Sequence, residues 1–211
     1  MKDFIPLFPL QLVVFPGEQV NLHIFEPRYR QLIREVETNR ITFGIPAFID
    51  ETLMPIGTEI ELLSVEKRHE DGTLDVKTQG TGLFETIDFY KVAPNKLYAG
   101  GDIKRLPDNS EGDVGLNEEI IEQIVLLFKI MDIDKSIPEP TVKHFTFKIA
   151  HHVGFSLEQE YEFLCIPTEF DRQKFMLAHV KRLIPIVQEM ENLKIRVKMN
   201  GHFKNLKPPN I

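Results

Sequence analysis

Two strand-like runs flanking an Asp-Gly turn constrain this chain more than any other feature. Glu59–Arg68 (EIELLSVEKR) and Leu74–Gly80 (LDVKTQG) both alternate apolar and polar residues, and His69-Glu-Asp-Gly72 lies between them. Successive side chains of a strand point to opposite faces, so such a pair predicts an antiparallel hairpin with one buried face. Neighbouring segments extend the pattern. Val20–Phe25 (VNLHIF) sets Val20, Leu22 and Ile24 on one side and Asn21 and His23 on the other. Ile41–Ile49 (ITFGIPAFI) is a further β-rich run, in which Pro46 predicts an edge position or a bulge. Gly82–Tyr90 (GLFETIDFY) continues the meander, and Tyr98–Leu106 (YAGGDIKRL) supplies a last strand. Six or more short strands at this spacing predict a small barrel or a strongly twisted sheet.

The character changes after Pro107–Gly115 (PDNSEGDVG), a stretch rich in turn formers. This places a β subdomain at 1–107, a linker at 108–116, a helical subdomain at 117–200 and a basic tail at 201–211. Asn117 is suited to cap a helix whose first turn carries Glu118 and Glu119, with a broad apolar set from Ile120 to Met131. Thr141 can cap a second helix bearing Val142, Phe145, Ile149 and Val153 and ending at Gly154. Ser156 with Gln159 has the spacing of a capping box. Thr168 and Asp171 open the last helix, where Leu177, Val180, Ile184 and Val187 form a packing seam. Pro185 lies inside that helix and predicts a kink. The whole reads as an α+β chain ending in a long kinked helix.

The segment LHIFEPRYR, residues 22–30, holds Glu, Arg, Tyr and His, which are common catalytic residues. Its order favours a structural joint. Pro27 suits the first position of a helix, and Glu26 can accept from the free N–H groups there. Tyr29, Leu32, Ile33 and Val36 then share one stripe.

Other catalytic readings fare no better. There is no G-x-x-x-x-G-K-[ST] loop, and Gly80-Thr-Gly82 lies between strands, where a bulge is the natural reading. His144 and His151 are two turns apart on one expected helix, too far for an H-x-x-x-H metal pair; with His152 they read as structural histidines. Cys165, the single cysteine, lies in an apolar context (EFLCIP) at a helix end and reads as a packed small hydrophobe. Ser64 and Lys67 fall on opposite faces of one strand. No catalytic, cofactor or metal residues are therefore assigned.

Charge and length narrow the class further. Nine acidic residues against two basic ones occupy 108–140, and five basic residues without an acidic one end the chain at 193–211. The net charge of −7 argues against nucleic acid as a partner. At 211 residues, a chain can bury roughly 70% of its unfolded surface and needs no disulfide or metal to fold. MKDFIPLFPL, with Pro6 and Pro9 and no small-residue cleavage site, does not read as a signal peptide. No run of about 18 apolar residues exists, so no membrane span is expected and the expected compartment is the cytoplasm.

The stretch FPLQLVVFPGEQVNLHIFEPRYRQLI, residues 8–33, resembles the opening of the Lon N-terminal, or substrate-binding, domain of ATP-dependent protease La. It shows the apolar-Pro-Leu start, the turn Val14-Phe15-Pro16-Gly17, a strand and then a helix. TQGTGLFETIDF resembles the family's Gly-x-x-Arg-Phe strand, with Leu83-Phe84 where Arg-Phe is usual. The resemblance implies a PUA-like β-barrel with one helix, followed by a helical bundle. It also implies recognition of unfolded or tagged polypeptides, in the setting of a proteolytic system, by a stand-alone domain without the ATPase and Ser-Lys protease domains. Phe15, Pro16, Gly17, Phe43, Phe48, Asp71 and Gly72 are the expected peptide-binding residues. The competing readings are a peptidase or other hydrolase, and an RNA-binding PUA-like protein.

Overall fold

The computed structural model describes residues 3–203, with side chains through Val197. Six strands among these residues make one sheet: β1 (Asp3–Leu7), β2 (Gln19–Ile24), β3 (Phe43–Ile49), β4 (Thr52–Arg68), β5 (Leu74–Tyr90) and β6 (Ala99–Arg105). Among the described residues, five helices complete the α+β architecture: α1 (Pro27–Asn39), α2 (Val114–Met131), α3 (Phe145–Ile149), α4 (Leu157–Leu164) and α5 (Glu169–Phe203). Among the described residues, no helix is long and apolar enough to cross a membrane.

The hairpin is longer than its sequence signal. β4 and β5 are 17 residues each and pair antiparallel from Ile56↔Glu85 to Arg68↔Leu74. Gly82–Tyr90 is thus the second part of β5 rather than a separate strand. The ladder passes the glycine pair by a register shift, with Glu59 opposite Gly82 and Ile60 opposite Gly80. Strand order is β2-β5-β4-β3-β1-β6, and the far part of β5 also pairs β6. β1, an apolar run around Pro6, carries no alternation that would mark it as a strand; it pairs antiparallel with β6 and parallel with β3. That placement corrects the edge reading of Pro46. β3 has neighbours on both sides, and Pro46 is accommodated by a bulge between it and Phe48.

Helix starts follow local chemistry where nothing distant competes. Pro27 opens α1, whose buried face is Tyr29, Leu32, Ile33 and Val36. Glu26 does not cap with its side chain: the carboxylate accepts from Arg28 Nε at 2.8 Å, and its backbone carbonyl receives Tyr29 and Arg30. Ser156 and Gln159 form the full capping box of α4. At α5, Thr168 Oγ1 accepts from Asp171 N at 3.1 Å, and the helix runs unbroken through Pro185.

Two helices depart from expectation. α2 is capped by Asp113, whose carboxylate accepts from Leu116 N at 3.0 Å, so Glu118 and Glu119 fall beyond its first turn. Asn117 is buried inside it and donates to Pro140 O at 2.6 Å. The expected helix from Thr141 shrinks to α3 and a 3-10 turn, Ala150–His152. His144, just before α3, has φ 55°, a left-handed backbone that a continuous helix cannot contain. Gly154 ends the segment at φ +75°, as glycine readily does.

Packing forms two large clusters and a small one of Ile5, Leu7, Phe84 and Ile103 within the sheet. One large cluster joins α1 to the sheet through Phe8, Tyr29, Leu32, Ile33, Phe43 and Ile60. The other gathers the helices around Phe145, Phe147, Phe163, Met176 and Val180, and includes Val13, Phe15, Ala47 and Ile49 from the N-terminal half. Full burial of a Leu- or Phe-sized side chain stabilises by roughly 1.5–3 kcal/mol. The shared second cluster therefore seats the helices firmly on the sheet.

Candidate functional site

A segment meant to grip an extended chain needs backbone hydrogen-bonding groups left open by the fold. β2 offers them. Among the described strands it is hydrogen-bonded to β5 alone, from Gln19↔Gln79 to Ile24↔Leu74. Its alternation turns Gln19, Asn21 and His23 to solvent, while Val20 and Leu22 are half-buried and Ile24 is buried. The exit from β2 is apolar and open, with Phe25 62% exposed. An edge strand with this exposure presents a row of N–H and C=O groups to an incoming strand.

The seven expected peptide-binding residues do not share one surface. Phe15 and Phe43 are fully buried, in different core clusters. Pro16 is buried and Gly17 half-buried in the turn ahead of β2, where Gly17 N donates to Gly80 O at 2.8 Å. Phe48 is half-buried on β3. Asp71 and Gly72 form the hairpin tip, where Arg30 Nη1 donates to Asp71 O at 3.2 Å. Burial of Phe15 follows from helices remote in sequence, which a local reading of the Phe-Pro-Gly turn cannot see.

The turn containing Phe15 is clasped to the helices by His151. Its Nδ1 lies 2.6 Å from Glu160 and its Nε2 3.1 Å from Glu18, while Phe15 N donates to the same Glu18 carboxylate at 2.9 Å. Tyr161 adds a second link, its hydroxyl accepting from Ile56 N on β4 at 3.1 Å. Burial disfavours a charged imidazole, but the hydrogen bonds to Glu160 and Glu18 outweigh it and raise the pKa of His151 to about 9. A folded pKa above the unfolded value of roughly 6.5 means stability that is complete below that value and lost as pH climbs through about 9. Solvent screening reduces the contribution to about 1 kcal/mol. Urea denaturation should show wild type exceeding His151→Gln by that amount at pH 6, with the gap closing by roughly pH 10.

The groups weighed as catalysts sit in other company. Cys165 is exposed at the C-terminus of α4 rather than packed, because Phe163 and Leu164 take the inward positions of that turn. Burial by its surroundings still pushes its thiol above the usual value, the reverse of what a nucleophile needs. Ser64 and Ser156 hydrogen-bond to the carboxylates of Glu66 and Glu158. His144 approaches Asp108 at 3.4 Å, and burial lowers its pKa.

One grouping escaped the sequence reading, which assigned no metal ligands. His23 of β2, His69 of the hairpin turn and Asp75 of β5 bring one ligand atom each to within 4.8 Å of one another. The register of β2 against β5 creates that meeting, and spacing along the chain does not reveal it.

The family model for the ATP-dependent protease La (LON) substrate-binding domain matches residues 5–182. A Lon N-terminal domain protein from Xanthomonas campestris has a similar solved structure, with TM-score 0.64 and 24% identity over 83% of this chain and 98% of that one. The N-terminal domain of the Mycobacterium avium complex Lon protease has TM-score 0.60 and 13% identity, over 85% of this chain and 98% of that one. At these identities the structural likeness is one of fold. Comparison with curated proteins gives no match.

Proposed function

The chain belongs to the Lon substrate-binding domain family, and on that premise we propose that it is a polypeptide-recognition module with no catalysis of its own. Its substrates in this reading are unfolded or tagged polypeptides, and its setting is a cytoplasmic proteolytic system. The observation that carries the reading is a family match spanning both the sheet and the helices. The pairing of β5 with both β4 and β6 supports a PUA-like barrel as the scaffold, with β2 attached outside the ring. We place the incoming chain alongside β2, as an added strand whose main-chain bonds give affinity without demanding one sequence. That suits a partner class defined by lack of structure.

A fluorophore-labelled, permanently unfolded polypeptide titrated with the folded protein should give saturable binding. Lysines at Gln19 and Asn21, both exposed on β2, should weaken it several-fold without altering circular dichroism. Binding that ignores those lysines would move the site elsewhere. An absence of saturable binding would overturn the recognition reading itself.

A further inference from the structure

We propose that His23, His69 and Asp75 form a binding site for a divalent transition metal ion, zinc foremost, where the hairpin end of the sheet meets β2. The three residues come from three backbone segments held in fixed relation. His23 and Asp75 are direct cross-strand partners in the β2–β5 ladder, so both side chains rise from the same face. His69 follows β4 in the turn, where its N–H donates to Thr73 O at 2.9 Å and its carbonyl accepts from Gly72 N at 3.0 Å. Asp71 tightens the turn by accepting from Thr73 N at 2.9 Å. The hairpin thus returns the His69 ring to Asp75.

The donor atoms already converge. His23 Nδ1 lies 2.6 Å from Asp75 Oδ1, and His69 Nε2 lies 2.7 Å from Asp75 Oδ2. The rings of His23 and His69 meet edge to face at 5.8 Å. A tetrahedral zinc with bonds near 2.1 Å places its donors roughly 3.3 Å apart. The hydrogen-bonded pairs are slightly closer than that, and the widest separation, within 4.8 Å, is somewhat larger. Side-chain movements on the order of 1 Å convert the cluster into a ligand set of this geometry.

The chemistry selects the class of ion. Two imidazoles and one carboxylate suit zinc, cobalt(II) or nickel(II), whereas calcium and magnesium prefer all-oxygen shells. Side-chain exposures of 56% for His23, 29% for His69 and 41% for Asp75 leave a path for the ion and room for water at a fourth position. Glu66 and Lys77 line a depression with His23 and Asp75, one carboxylate offsetting one ammonium in the charge an entering cation meets. A bound ion would clip β2 to the end of the β4–β5 hairpin and stabilise the native chain by mass action.

The test is calorimetric titration of the intact chain with zinc chloride, with the melting temperature followed in parallel. One ion should bind per chain, and the melting temperature should rise with zinc concentration. His23→Ala, His69→Gln and Asp75→Asn should each weaken binding by about tenfold or more, whereas His152→Gln, on the helical side, should not. His23 is on an exposed strand position, so its alanine variant keeps the test valid if another variant misfolds. Folded chain that takes up no zinc, or binding undiminished in all three variants, would overturn the proposal.

Discussion

Arg172→Ala should lower stability by about 3–5 kcal/mol, the usual result of removing one member of a buried ion pair. Arg172 and Glu169 are 3% and 1% exposed, one turn apart at the start of α5. Arg172 Nε and Nη2 donate to Glu169 Oε2 at 3.0 and 2.9 Å. The same guanidinium donates to Ile166 O at 2.8 Å and Asn109 O at 3.2 Å, and stacks 4.1 Å above the Phe147 ring. Glu169 in turn accepts from Thr146 N and Oγ1, each at 2.9 Å. One pair therefore ties the β6–α2 connection, α3 and the entry to α5. Alanine would leave the Glu169 carboxylate buried without its cation and remove the guanidinium donor from Ile166 O, while Asn109 O would keep the bond from Glu169 N at 3.1 Å. With slopes of about 1–3 kcal/mol per molar urea, the midpoint should drop by 1 M or more. A loss under about 1 kcal/mol would mean that the network relaxes and carries little of the helical seat. The paired change Glu169→Leu with Arg172→Met should cost less than Arg172→Ala alone, because no orphaned charge remains.

The same contrast between local and distant partners separates what the sequence reveals from what it hides. The α1 stripe and the Ser156–Gln159 box are legible because every participant lies within one or two turns. Asn117 has the residue type of a cap, yet the helix opens at Asp113. Asn117 is diverted because Pro140 O and Gln173, 23 and 56 residues away, use its side-chain amide. The hairpin is legible from its turn, but its full length is not, since Gly80-Thr-Gly82 interrupts the alternation while the ladder continues past it. The candidate site was the least visible part. The free edge of β2 depends on strand order, and the meeting of His23 with Asp75 depends on register across 52 residues. The Lon-like motif at residues 8–33 correctly indicated the family, although Phe15 of its turn serves the core.

Phe15→Ala tests that last distinction, with an expected loss of about 3–5 kcal/mol. Phe15 has no exposed surface, and its ring centroid is 5.2 Å from Phe147, 6.1 Å from Phe163 and 4.8 Å from His151. It thus enters the helical cluster from the N-terminal half of the chain. Its backbone is pinned as firmly as its ring: Phe15 N donates to Glu18, and Gly80 passes so close that an added Cβ would lie 2.6 Å from Phe15 O. The surroundings cannot collapse easily into the space an alanine leaves, which puts the cost at the upper part of the range. Phe15→Ala combined with Phe163→Ala should depart from additivity by 0.5 kcal/mol or more, because both changes open one shared cavity. Phe15→Leu is the discriminating variant. If Phe15 serves packing, this variant should lose stability while the folded fraction binds unfolded polypeptide with wild-type affinity. Affinity that falls while the urea midpoint stays unchanged would instead return Phe15 to the recognition surface, and would require the turn before β2 to open during binding.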